Sequence, residues 1–250
     1  MSTHLLADVA ESAQQVWREA YAQFPEHVVP QSCAAPWFGD SAAYALSPLR
    51  VVTAGLNPSG IEFPAEAPRL RFPNAREGDP ASLTVACDGY FRAAPYWQWF
   101  QAFEPALQGL GSSFRDGRSI ALHTDLCSPV PTAPTWSELP TVVQWRLRSS
   151  GLPLWLTTLE ALAPHVVLIS TAIGPLRGLP FWEADRQRLV VELTKGKQPV
   201  RWSAQWVQIA DRATLVIAAR AAQKPLGYLK EDEKVEAGRA VLRLWEAGPW

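Results

Sequence analysis

Apolar positions along the chain follow two periods. Residues 7–24 place Val9, Val16, Ala20 and Phe24 at helical spacing, with Trp17 beside them and Pro25 as a stop. From Arg50, the run Val51–Val52–Thr53–Ala54 ends abruptly in Gly55–Leu56–Asn57–Pro58–Ser59–Gly60. That pattern predicts a buried strand with a tight loop at its carboxyl end. A second strand is expected at 119–122, running into His123–Thr124–Asp125–Leu126–Cys127–Ser128–Pro129. Strands at 165–170 and 214–218 complete the core set. Helices are expected from Tyr96 to about Leu110, with Phe100, Phe103 and Leu107 on one face, and over 138–162 with a break at Gly151–Leu152–Pro153. A charged surface helix is expected over 183–195, and a final helix over 231–246 with Leu242 and Trp245 turned inward. Residues 200–209 alternate Trp202, Ala204 and Trp206 with polar neighbours, which suits a half-exposed strand or hairpin arm.

Apolar strands alternating with helical segments predict an α/β fold with a mostly parallel sheet covered on both faces. Such sheets bind ligands at their carboxyl edge, and three of the four expected strands end there in polar loops. Asn57 is the leading candidate: Pro58 fixes the backbone behind it as a site residue, or it closes the strand as an Asx turn. Residues 64–82 set Arg69, Arg71 and Arg76 among Leu70, Phe72 and Asn74. This stretch is either a loop that meets phosphates or a solvated one.

Composition narrows the picture. The 250 residues are 48% apolar and 19% charged, enough for a core and incompatible with wholesale disorder. The chain reads as one domain over 1–250, with residues 1–48 as a helical and loop extension packed on the core. No run of 18 apolar residues predicts a membrane helix, and the start lacks the basic-then-apolar pattern of a secretory signal. Three widely spaced cysteines, Cys33, Cys87 and Cys127, predict a reducing, cytoplasmic setting with no disulfide framework and no metal site. A net charge of −1 means that any nucleic-acid partner must meet a local basic patch. The 12 Trp and 22 Pro exceed ordinary usage; many of the Trp pack in the core or cover loops, and the prolines stiffen long loops.

Gly55–Leu56–Asn57–Pro58–Ser59 resembles the first catalytic motif of the uracil-DNA glycosylase superfamily, whose mismatch-specific and single-strand-selective branches carry Gly-x-Asn-Pro-Gly. Leu122–His123–Thr124 stands at the family's base-reading strand end. Lys224–Pro225–Leu226–Gly227–Tyr228 stands at its minor-groove loop, usually His-Pro-Ser-Pro-Leu-Ser. The resemblance spans residues 48–246 in element order, though its quotable motifs total fewer than twenty residues. It implies a three-layer α/β/α fold with a central four-stranded, mostly parallel sheet. It also implies hydrolysis of the N-glycosidic bond of a base flipped from DNA, which leaves an abasic site. No cofactor is expected, and since nothing in the sequence demands a partner chain, a monomer is expected.

The site residues follow from that resemblance. Asn57 would hold the attacking water; an amide cannot act as a general base. Gly55, Leu56 and Pro58 would frame the pocket, with Phe63 as an aromatic platform under the base or as plain core. Ser59 replaces the Tyr that excludes C5 substituents in classical members, so the pocket would admit bulkier pyrimidines. The last-motif His is absent, with Ala222 in its place. His123 is the candidate donor to the departing base; otherwise it is bonded to a loop carbonyl. Asp125 stands where the family uses an amide, and a carboxylate accepts from the amino group of cytosine; otherwise it caps a turn. Leu226 would be the wedge between Pro225 and Gly227, and Arg220, Lys224 and Lys230 would contact phosphates. Together these favour a damaged or modified pyrimidine, such as the C5-modified cytosine of hypermodified phage DNA, in a defence role. The alternatives are a catalytically silent nucleic-acid-binding member of the same fold and an α/β protein acting on a small molecule.

Overall fold

A computed structural model describes residues 3–183, 186–195, 198–220 and 224–249. In chain order it contains α1 (Thr3–Gln23), α2 (Ser41–Leu46), β1 (Val51–Gly55), α3 (Pro80–Gly89), α4 (Trp97–Phe100), α5 (Glu104–Gly109), β2 (Ser112–Ser113) and β3 (Ser119–Ile120). There follow β4 (Leu122–Asp125), α6 (Thr141–Leu162), β5 (Val166–Thr171), α7 (Ile173–Leu176), β6 (Arg188–Lys195), β7 (Gln198–Ile209), β8 (Arg212–Arg220) and α8 (Glu231–Ala247).

The fold is α/β, but the sheet is not the expected four-stranded parallel one. It is mixed and six-stranded, in the order β4-β1-β5-β8-β7-β6. β5 runs parallel to both β1 and β8, with Val166 opposite Val51 and Leu215. β7 then turns back antiparallel to β8, with Trp206 opposite Leu215, and β6 runs antiparallel to β7. The helix expected over 183–195 is therefore a strand from Arg188 onward. Its Leu189–Val190–Val191 segment suits a pleated surface better than a helix, and Arg201 Nε donates to Glu192 Oε1 directly across the pair at 2.7 Å.

The chain divides into two compact units. The first comprises Met1–Ala45, Gly55–Tyr96 and Leu122–Leu162; the second comprises Leu46–Ala54, Trp97–Ala121 and Ala163–Trp250. In the first, α1 belongs to the core: Leu6, Val9, Ala10 and Ala13 are buried. Ala20, Val28, Val130, Leu139, Val143 and Leu147 form one cluster, flanked by Trp17 and Phe24. The break expected at 151–153 is absent, and α6 runs unbroken through Pro153. Its buried face, which includes Leu147, Leu154, Trp155 and Leu159, holds it helical against the local propensity. Gly151 lets α6 approach the 127–128 loop, because a Cβ there would sit 2.2 Å from the Cys127 carbonyl oxygen. α3 was not anticipated, although Asp79 caps it by accepting from Ser82 N at 3.1 Å and Pro80 opens it.

In the second unit the helix expected over 96–110 is split into α4 and α5, with Pro105 in the first turn of α5. α5 and α8 cross backbone to backbone, since a Cβ on Gly238 would lie 2.1 Å from the Ala106 oxygen. On α8 the fully buried side chain is Val241, with Leu242 and Trp245 half-buried.

Candidate active site

The expected first motif leaves β1 as a loop bonded residue by residue to the segment that follows β4. Leu126 N donates to Gly55 O at 3.1 Å, and Cys127 N to Leu56 O at 2.9 Å. Thr132 N donates to Pro58 O at 3.1 Å, and Gly60 N returns to Thr132 O at 2.9 Å. Asn57 completes this lacing with its side chain. Nδ2 lies 2.8 Å from Pro58 O, 3.2 Å from Val130 O and 2.9 Å from Thr132 Oγ1. With the amino end so committed, the direction of the half-buried side chain is fixed, and Oδ1 has no hydrogen-bond partner among the described residues. Ser59, also half-buried, follows on the same loop.

The β4 ladder extends past Leu122, so His123 and Asp125 are strand residues rather than loop residues. Two positions apart, they share a face. Their side chains are buried, with His123 Nε2 3.7 Å from Asp125 Oδ1. The backbone of His123 is fixed by exchange with Phe38, at 2.9 and 3.1 Å. Gly55 makes room for the pair: a Cβ there would lie 2.6 Å from Asp125 Oδ1 and 3.3 Å from His123 Nε2. Burial pushes the Asp125 carboxyl above its ordinary range, while the contact with His123 pulls the other way.

Next to these lies a group that sequence reasoning missed. Glu62, at the end of a short 3-10 turn, is buried and accepts from Tyr90 Oη at 2.5 Å. Burial raises its carboxyl to about 7 against the pull of Tyr90 and Arg71, and Asp125 adds to the rise. Arg71 Nε stands 3.5 Å from Glu62 Oε2, and its guanidinium lies over the Tyr96 ring at 5.9 Å. Aromatic rings wall the group. Phe63 stacks on Phe72 at 5.2 Å, Phe38 meets Tyr90 edge-on at 4.8 Å, and Phe38 meets His123 at 5.5 Å. Phe63 is buried, with one face already taken by Phe72. The three loop arginines part company: Arg69 is tied to the Ala75 carbonyl, Arg76 is exposed, and Arg71 is largely buried.

The expected DNA-contacting residues belong to the second unit. Lys224 and Lys230 are exposed, and Lys224 Nζ lies 5.1 Å from the Tyr228 ring centre. Arg220 ends β8 opposite Thr171, and Ala222 lies outside the described residues. The wedge reading of Leu226 is corrected. Leu226 is fully buried, and Pro225 and Gly227 beside it are buried too. Leu226 N donates to Ser170 Oγ at 2.8 Å, and its carbonyl accepts from Trp202 Nε1 at 3.2 Å. The buried Lys234 holds the loop from below, donating to Pro225 O at 3.1 Å and Ala102 O at 2.7 Å.

Among the described residues, no group of three His, Cys, Asp or Glu side chains is placed to hold a metal. Nor is any helix among them long and apolar enough to cross a membrane. No protein-family model matches the chain, and no curated protein matches it significantly.

Proposed function

We propose that the protein is a DNA glycosylase that hydrolyses the N-glycosidic bond of a flipped-out pyrimidine and leaves an abasic site. The carrying observation is the Asn57 side chain, whose Nδ2 is committed to three acceptors of its own unit so that Oδ1 points in one fixed direction. A carbonyl oxygen held in that way is suited to position a water for attack on C1′. His123 and Asp125, buried beside Gly55, would face the base. Asp125 would accept from an exocyclic amino group, and the small Ser59 leaves space at C5. Both favour a C5-modified cytosine, such as that of hypermodified phage DNA, over plain uracil. The enzyme would act as a cytoplasmic monomer.

The test is base release from oligonucleotides carrying uracil or mismatches, and from phage DNAs bearing plain, hydroxymethylated or glucosylated cytosine, followed by alkaline heating to break the strand at abasic sites. Breaks with one substrate that disappear for Asn57→Ala, in protein that still folds and binds DNA, support the reading. Salt-sensitive DNA binding with no breaks on any substrate overturns it in favour of a silent nucleic-acid-binding protein.

A further inference from the structure

Thr132 is the buried residue to which the Asn57 loop is fastened. It is fully buried. Its amide donates to Pro58 O at 3.1 Å, and its carbonyl accepts from Gly60 N at 2.9 Å. Its hydroxyl oxygen lies 2.9 Å from Asn57 Nδ2. One residue is thus bonded to the loop on both sides of Ser59 and to the side chain of Asn57. A β-branched side chain is stiff at χ1, so a backbone pinned at both its amide and its carbonyl also pins the hydroxyl.

The other partners of Asn57 decide which way round its amide sits. Pro58 O and Val130 O lie 2.8 and 3.2 Å from the same Asn57 atom. Both are carbonyl oxygens and can only accept, so that atom is the amino nitrogen. The Thr132 hydroxyl therefore accepts from Asn57, and its own proton points elsewhere. Pro58 O is shared with the Thr132 amide, and Val130 O is the most distant of the three. The hydroxyl is the one acceptor of the three that a side chain supplies. Asn57 itself is half-buried rather than sealed.

The hydrolysis proposed above depends on that orientation. As the C1′–N1 bond breaks, its electron pair leaves with the base; the water oxygen bonds to C1′, and the proton it releases finally neutralises the departed base. To aim the water, Asn57 must offer it the accepting end of the amide. An amide turned by half a revolution would present two donors instead. We infer that Thr132 is a positioning residue: its hydroxyl holds the amino end of Asn57, fixes the rotation of the amide and keeps Oδ1 free for the attacking water. This assignment rests on the glycosylase reading.

The test compares wild type, Thr132→Val and Thr132→Ser on oligonucleotides carrying uracil, 5-fluorouracil or 5-hydroxymethylcytosine. Thermal unfolding and the NMR signals of the Asn57 side-chain amide are recorded for each. Thr132→Val keeps the branched shape and removes the acceptor. It is expected to lower kcat about 10-fold with little change in KM, and to broaden the two Asn57 Nδ2 proton signals as the amide turns more freely. Thr132→Ser keeps the hydroxyl and is expected to restore most of kcat and the sharp signals. The assignment is overturned, and the glycosylase reading left standing, by any of four results: wild-type kcat in Thr132→Val, unchanged Asn57 signals in that variant, equal losses in both variants, or losses that merely track the thermal midpoint. Wild-type protein that releases none of the three bases overturns both.

Discussion

The loop after β1 and the loop after β8 both follow a buried strand and both turn at a proline, yet they treat their polar groups in opposite ways. In the loop that begins at Lys224, Ser170, Trp202 and Lys234 converge on the backbone, and Leu226 disappears into the core at a φ of 63°. That positive φ is uncommon for a branched side chain, and it is held by burial and by hydrogen bonds at both the amide and the carbonyl of the same residue. The loop that begins at Leu56 is also laced down, but Asn57 Oδ1 and two nitrogens of Arg71 make no hydrogen bond among the described residues, and two carboxyls nearby are lifted by burial. A loop that satisfies itself stabilises the fold. One that leaves buried polar groups unsatisfied carries a cost that a ligand can repay.

The contrast can be broken most directly at Leu226. Leu226→Ala is expected to lose about 3 kcal/mol of unfolding free energy by denaturant titration, because it empties a filled core site. DNA affinity per folded molecule should not change. Unchanged stability with weakened DNA binding would restore Leu226 as an exposed wedge.

A second difference lies in how each unit responds to pH. Glu62 has a folded pKa of about 7, above its unfolded value of 4.5. The folded state therefore holds the extra proton, and stability falls as pH rises from 4.5 to 7, by roughly 3 kcal/mol in all. Asp125, raised as well, acts with the same sign. Glu62→Gln should flatten this decline when unfolding is measured on either side of the range.

A further effect, similar in shift but screened because its group is half-exposed, belongs to the second unit and runs the other way. Burial lowers His165 to about 4 from 6.5, helped by the charges of Arg50 and Arg212, and its Nδ1 accepts from Arg50 N at 3.0 Å. The stability it contributes is complete above 6.5 and is lost as pH falls from there toward 4. His165→Asn, which keeps an acceptor without a charge, should remove that acid limb and leave the Glu62 limb untouched.

Legibility in the sequence divides along the same physical line. β1, β5 and β8 were readable because a strand buried on both faces is a nearly continuous apolar run. The Asn57 loop was readable because glycine and proline mark it locally. β6 was not, because its charged ends at Arg188 and Lys195 look like a solvated helix and only pairing with β7 makes it a strand. Glu62 escaped notice, and Arg71 was legible only as one of three loop arginines, for a related reason. A carboxylate and a guanidinium in an irregular stretch look solvent-exposed, and the aromatic cluster around them is completed by Phe38 and Tyr90, which come from other points along the chain to join the adjacent Phe63 and Phe72. The fate of Leu226 was likewise set by Ser170 and Trp202, which no local pattern connects to it.

The interleaving of the two units also has a consequence in time. Every segment of the first unit lies at or before Leu162. It is therefore complete in the nascent chain while β5, β6, β7 and β8 are still untranslated. The segment Leu46–Ala54 of the second unit emerges early but waits more than a hundred residues for its partner, since Val51 pairs with Val166. Synthesis at about 5–20 residues per second makes that a wait of about 6–23 seconds. During that interval an apolar strand is exposed with nothing yet made to pair with it along β5, and this is the point at which a chaperone would have most to protect.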